Sequence, residues 1–182
     1  MTARRALVAL LSFALCGCAS MTKVTVDSQR LSHGEPPHAT LACAYRLGDL
    51  VDARPVGASA GSMGLKAFEL NDPLGVVRDQ LAAAGLRADG QGRKVDVRLM
   101  QLYLAQNTIT LVPVVVYQAT IDGYAPLIAR GQPTSMNSWG TDNEATKAYI
   151  AALRAANARL IASLNAACPG HAADATGEAD PA

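Results

Sequence analysis

Apolar residues recur every three to four positions in two segments, and each segment begins with a helix-capping signal. Asp72 suits the N-cap of the first segment, and Pro73 suits its first helical turn. The second segment begins with Thr141-x-x-Glu144, which has the pattern of a capping box, and continues as an apolar stripe. The pattern therefore predicts a short helix over 72–85 and a long one over 141–167.

Apolar and polar residues alternate in four other stretches, as is typical of half-buried strands. In the second of these stretches, five alternate residues share one face: Val95, Val97, Leu99, Gln101 and Tyr103. Pro113 lies inside the next stretch and marks a sheet edge or a bulge, because proline cannot donate to a strand ladder. The predicted strands cover 40–51, 94–105, 108–121 and 125–131.

These elements predict an α+β domain over 39–168. We expect an antiparallel sheet of about four strands, with the short helix and the long C-terminal helix packed on one face. The stretch 55–64 is expected to be a surface loop. Residues 18–38 are polar and lack periodicity, so they predict a flexible tether with ends roughly 25 Å apart. Residues 169–182 lack large apolar side chains and are expected to be disordered.

The first eighteen residues have the pattern of a bacterial lipoprotein signal. Two arginines precede a short apolar run, and Leu15-Cys16-Gly17-Cys18 resembles a lipobox. Cleavage after Gly17 would leave Cys18 to take the lipid, so 1–17 is a predicted signal peptide. The apolar run is shorter than the about 20 residues that a transmembrane helix needs. An ordinary secretory signal is the alternative. The second residue of the mature chain would be Ala19 and not the aspartate that would suggest retention in the inner membrane. We therefore expect the protein at the outer membrane, with the domain facing the periplasm.

The remaining cysteines fit an exported protein. Cys16 would leave with the signal peptide, so only Cys43 and Cys168 remain in the predicted domain. Two thiols in an oxidising compartment predict one disulfide, with two unpaired buried cysteines as the alternative. Such a bridge would close a loop of about 125 residues and stabilise the fold by roughly 4 to 5 kcal/mol on the chain-entropy model.

Charge argues against a nucleic-acid partner. Without the two signal-peptide arginines, fourteen basic residues face fifteen acidic ones, and no basic cluster is present in the sequence. The three histidines, His33, His38 and His171, all lie outside the predicted elements. We therefore expect no metal, no cofactor and no catalytic role.

Two positions are candidates for partner binding. Asp52 and Arg54 carry opposite charges two residues apart, a spacing that also suits an ion pair bracing the following loop. Trp139, the only tryptophan, follows Asn137 just before the long helix. Trp139 either packs against the first turns of that helix or is exposed as an anchor for a partner.

One glycine-rich motif matches the pattern around a nucleophilic serine, but its context favours a surface loop. Gly57-Ala58-Ser59-Ala60-Gly61 matches the G-x-S-x-G pattern, which needs a helix directly after it and a histidine base within reach. Neither is predicted here, because the next helix begins near Pro73 and the only later histidine is in the tail. A surface loop is the favoured interpretation.

The layout resembles the YajG-type group of small bacterial envelope lipoproteins. The resemblance is carried by the lipobox, the Asp52-Ala53-Arg54 pair after the first strand, the glycine-rich stretch 57–64 and the order of the later elements. Accessory lipoproteins of ABC-type envelope transporters have a similar α+β plan. The resemblance implies no catalytic residues. It implies an envelope assembly or transport accessory factor that binds another envelope protein. A carrier of a lipid or hydrophobic ligand, using the open sheet face, is the alternative.

Overall fold

The computed structural model describes residues 20–32, 39–122, 124–136 and 140–168. Their elements in chain order are β1 (Thr22–Val26), α1 (Ser28–Ser32), β2 (Tyr45–Asp52), β3 (Ser62–Met63), β4 (Lys66–Leu70), α2 (Pro73–Ala83), β5 (Arg93–Gln106), β6 (Thr110–Ile121), β7 (Leu127–Gly131), β8 (Ser135–Met136) and α3 (Asp142–Ala166). The predicted α+β class is confirmed.

The larger sheet has the strand order β2-β5-β6-β7, and β8 also pairs with β6. The neighbours β5, β6 and β7 are antiparallel, as expected for a hairpin-built sheet. β2 instead runs parallel to β5, so the expectation of a wholly antiparallel sheet is wrong. A parallel neighbour needs a long crossover, and the chain between β2 and β5 supplies one that contains β3, β4 and α2.

A bulge at Met100 changes which residues of β5 face the core. Leu99 pairs with Tyr117 and Gln101 with Val116, so Met100 is an extra residue on β5. Val95, Val97 and Leu99 are buried, as are Leu102 and Leu104 beyond the bulge, whereas Gln101 is exposed. The prediction that Gln101 and Tyr103 share the face of Val95 is therefore wrong, because one inserted residue reverses the alternation.

Pro113 lies in a gap between two partners of β6. β7 pairs with residues 115–119 of that strand, and β8 pairs with Thr110 and Leu111. Pro113 is opposite Leu104 of β5, in a continuous part of that ladder. Its missing N–H group is tolerated where one side of β6 has no partner among the described residues. The interpretation of Pro113 as the mark of a sheet edge agrees with this gap. The bulge, which was the alternative, lies instead at Met100 of β5.

A second, smaller sheet has the order β1-β4-β3. β1 pairs with β4 in parallel, and β3 and β4 form a hairpin. β3 lies inside the predicted loop 55–64, and β4, which follows it, was not predicted. Leu31 of α1 is fully buried, and its carbonyl accepts a 2.7 Å hydrogen bond from Gln80 of α2. Residues 22–32 are thus part of the folded domain, and the prediction of a flexible tether is wrong for them.

Both predicted helix starts are confirmed. The Asp72 carboxylate accepts a 2.8 Å hydrogen bond from the Gly75 amide, and Thr141 and Glu144 form the reciprocal capping box of α3. α3 packs across β6 and β7 and comes very near the sheet at Gly131, where an added Cβ would collide with backbone atoms of the helix. The core lies between α3 and the buried face of the larger sheet, and α2 packs beside α3.

Candidate functional site

The predicted cysteine pair joins the residues just before β2 to the end of α3. The Cα atoms of Cys43 and Cys168 are 6.0 Å apart, and their sulfur atoms are bonded. Cys43 precedes β2, and Cys168 follows α3. The Tyr45 hydroxyl donates a 2.9 Å hydrogen bond to the Leu164 carbonyl, and Arg93 donates one of 2.9 Å to the Ala167 carbonyl. The disulfide therefore reinforces an end that is also tied by hydrogen bonds.

Asp52 and Arg54 form a two-point ion pair. The guanidinium donates hydrogen bonds of 2.9 Å and 2.7 Å to the two carboxylate oxygens, and the Arg54 amide donates another of 3.1 Å. These hydrogen bonds from Arg54 hold the pKa of Asp52 below its usual value. The Arg54 side chain is only 12% exposed. Its charge is thus already satisfied, and the pair braces the chain as it leaves β2.

The 57–61 loop is held from a distant part of the chain. The Ala60 carbonyl accepts a 2.8 Å hydrogen bond from the Leu104 amide and another from the hydroxyl of Tyr149 on α3. Burial raises the pKa of Tyr149, so its hydroxyl stays protonated and donates. The Ser59 hydroxyl accepts a 3.3 Å hydrogen bond from the Gly61 amide, and strand β3 follows directly. A serine in a strand-to-strand connection lacks the strand-to-helix elbow that the G-x-S-x-G motif requires.

Two depressions lie on either side of Arg54. One, of about 450 Å³, is between the 57–60 loop and the end of β4. The other, of about 200 Å³, is between the same loop and residues 100–103 of β5. Arg54 lines both, but its pairing with Asp52 leaves no unbalanced charge for an anionic ligand.

The face of the larger sheet opposite α3 divides into two halves. Cross-strand pairs on the half nearest the β5–β6 turn are mostly apolar: Tyr103 with Val114, Ala105 with Val112, and Gln101 with Val116. The other half is polar, with Arg98 opposite Gln118 and Asp96 opposite Thr120. Val114 and Val116 are 1% and 9% exposed, although they lie on the face away from the main core.

A third depression, of about 310 Å³, lies between β6 and the first turns of α3. Its walls are mainly apolar, with Glu144 and Lys147 among the lining residues: Leu111, Pro113, Pro133, Glu144, Lys147, Ala148 and Ala151. This volume is at the lower limit for a small-molecule site.

Three predicted site residues lie outside the described residues. Cys18, Asn137 and Trp139 belong to this group, so the lipidation site and the tryptophan anchor remain predictions. Within the described ranges, no group of three or more His, Cys, Asp or Glu side chains is placed to hold a metal ion. No helix in the described part of the chain is long and apolar enough to cross a membrane.

The N-terminal segment 22–32 belongs to the domain although its sequence pattern did not predict this. Its signal was available in part, because Thr22–Val26 is a run of β-branched residues around a single lysine, a composition that favours strands. The run is short and exposed on most of its length, so only the parallel pairing with β4 identifies it as part of the domain.

The fold is similar to that of a bacterial protein of the DUF330 family. The crystal structure of protein XCC0632 from Xanthomonas campestris matches with a TM-score of 0.54 over 85% of this chain and 99% of that chain. The two sequences are 9% identical, so the likeness concerns the fold alone. No family model matches the sequence, and no curated protein matches it. The YajG-type resemblance therefore stays a prediction.

Proposed function

We propose that this protein is a lipid-anchored, periplasm-facing protein of the bacterial outer membrane, and that it acts by binding as an assembly or transport accessory factor. The observation that carries the proposal is the lipobox Leu15-Cys16-Gly17-Cys18, followed within four residues by the first strand of the domain.

The Cys43–Cys168 disulfide supports export. Disulfides form and persist in oxidising compartments such as the bacterial periplasm and are rare in the cytosol. A fold stabilised at one end by such a bridge fits a protein that is folded after translocation. The lipobox and the disulfide are independent features that favour the same compartment.

The arrangement of the polar residues supports binding rather than catalysis. Asp52 and Arg54 neutralise each other, and Ser59 lies in a loop without the geometry of a nucleophile elbow. The Asp52–Arg54 pair fixes the shape of the surface around the 57–60 loop. A rigid, charge-balanced surface suits contact with another envelope protein better than it suits proton transfer.

Lipidation is tested by mass spectrometry of the N-terminal peptide from membranes. The expected peptide begins at Cys18 and carries acyl chains, and Cys18→Ala abolishes the modification and releases the protein from the outer-membrane fraction. Thr25→Ala, at an exposed position of β1, is the control and is expected to leave both unchanged. An unmodified N-terminus in wild-type protein would refute the anchor.

Partner binding is tested by crosslinking in intact envelopes, followed by purification under denaturing conditions. A photo-reactive residue in place of Ala58, which is exposed beside Arg54, is expected to give one specific protein adduct. The adduct is expected to weaken with Asp52→Asn, which removes the brace. Adducts of equal strength from Thr120, on the polar half of the open face, would contradict a specific surface.

A second candidate function, a carrier of a lipid or other hydrophobic ligand, is favoured by the apolar half of the open face. There Val112 and Tyr103 are partly exposed, beside Val114 and Val116 of β6, which are buried. Lipid extraction of purified protein distinguishes the two functions. A stoichiometric lipid lost upon Val112→Asp would favour the carrier over the accessory factor.

A further inference from the structure

We propose that one end of this domain, formed by Met21, Leu65 and Ile109, rests directly on the lipid bilayer and inserts these side chains into its interface. The proposal deepens the proposed function, because it depends on lipidation at Cys18. It assigns the lipid surface itself as the binding partner of this end.

The anchor leaves little distance between lipid and fold. Thr22 begins β1, and its amide donates a 2.7 Å hydrogen bond to the Leu65 carbonyl. Cys18 precedes Met21 by three positions, a separation that a fully extended chain spans in about 10 Å. The first strand therefore begins close to the membrane surface.

The segment beyond β1 is held in the domain at several points and cannot act as a spacer. Leu31 is fully buried, and the Arg30 guanidinium donates a 3.1 Å hydrogen bond to Asn143 in the first turn of α3. β1 itself pairs with β4 along its whole length. The position of β1 thus sets the orientation of the entire domain relative to the anchor.

Three exposed apolar side chains gather at the end where β1 begins. Leu65 lies in the β3–β4 turn and is 61% exposed. Met21 is 49% exposed and precedes Thr22, the residue whose amide is hydrogen-bonded to the Leu65 carbonyl. The adjoining Gly64 amide donates a 2.6 Å hydrogen bond to the side chain of Gln106. Gln106 ends β5, and the turn that follows presents Ile109, which is 58% exposed.

This clustering is unusual because large apolar side chains are mostly buried in this fold. Seven such side chains are exposed among the described residues, and three of them are at this end. Apolar side chains on protruding turns are suited to the boundary between headgroups and acyl chains, about 5–10 Å into the interface. The short connection to Cys18 brings them to that depth.

Charge does not provide the attraction. Lys23 pairs with Glu69 at 2.8 Å, and Lys66 pairs with Asp142 at 2.7 Å, so the lysines nearest this end are neutralised. We therefore expect insertion through apolar contact, with little dependence on ionic strength or on the content of anionic lipid.

The test uses the full acylated chain in vesicles of phosphatidylethanolamine and phosphatidylglycerol. The photo-reactive residue p-benzoylphenylalanine replaces Leu65 or Ile109, and covalent adducts with phospholipid are measured after irradiation. Ile128 is the matched control, because it is 63% exposed. It pairs with Gln118, nine residues further along β6 than Ile109 and therefore about 30 Å away.

We expect phospholipid adducts at positions 65 and 109 and far fewer at position 128. The same pattern is expected at high salt. Equal yields at the three positions, or adducts with a second protein copy in place of lipid, would overturn the proposal. Acylation is measured in the same sample by mass spectrometry. Acylated protein without these adducts refutes bilayer docking alone, whereas unacylated wild-type protein refutes the proposed function.

Discussion

Replacing Leu31 by alanine tests whether the N-terminal segment is an integral part of the fold. Leu31 is fully buried in α1, which packs against α2 and α3. Truncating a fully buried leucine removes its transfer free energy and leaves a cavity, which together cost about 3 kcal/mol, within a range of about 2–5 kcal/mol. A leucine in a tether would cost nothing.

The full cost is expected only if α1 unfolds together with the rest of the domain. Gln80 supports this coupling, because its side-chain amide is buried and donates hydrogen bonds to the carbonyls of Leu31 and Ser32. Asn157 of α3 donates in turn to the Gln80 side chain at 3.4 Å. If α1 separated alone, these buried polar groups would lose their partners, and that loss is itself costly.

Urea unfolding followed by circular dichroism measures the change in the free energy of unfolding. Leu65→Ala is the matched control, because it makes the same substitution at an exposed position and is expected to stay within about 0.5 kcal/mol of wild type. Trypsin cleavage after Arg30 gives a second measurement and should accelerate only in Leu31→Ala. Equal stability of the two variants, with equal cleavage rates, would refute the packing of α1 described here.

Three further predictions concern other parts of the fold. Cys43→Ser opens a loop of 125 residues and is expected to lower the free energy of unfolding by about 4–5 kcal/mol relative to oxidised wild type; an equal loss in reduced wild type is the control. Asp52→Asn is expected to cost about 0.5–1 kcal/mol at neutral pH. Because Arg54 lowers the pKa of Asp52 in the folded state, this difference is present above the ordinary value of 3.8 and disappears as pH falls through the folded pKa; a pH-independent difference would contradict the ion pair. Gly131→Ala forces α3 away from β7 and is expected to cost about 1–3 kcal/mol in thermal unfolding, so an unchanged midpoint would show that the contact is looser than described.

The elements predicted correctly are those specified by neighbouring residues. The Asp72 cap and the Thr141–Glu144 capping box act within one helical turn, so the sequence pattern was sufficient for both helix starts. Local alternation also predicts β5 as far as the Met100 bulge, beyond which the pairing with β6 decides which residues are buried. The Asp52–Arg54 pair is likewise local, because an extended chain places residues two apart on the same side.

The features that were missed depend on contacts between distant parts of the chain. The parallel direction of β2 follows from the crossover through β3, β4 and α2, and the Met100 bulge is a property of its pairing with β6. The hydrogen bond that fixes the 57–61 loop comes from Tyr149, 89 residues away from Ala60. Local periodicity carries no information about such partners, and β1 was overlooked for the same reason.

Helix α3 has a geometric consequence for the orientation of the whole protein. Its first residue, Asp142, is tied to Lys66 near the proposed membrane end, and the helix then runs 25 residues towards Cys168. At 1.5 Å per residue this is a rod about 37 Å long. The disulfide is thus at the far end of the helix from the anchor. In the orientation proposed, a partner that engages this far end is held at a set height above the membrane, so the length of one helix would determine how far the protein reaches into the periplasm.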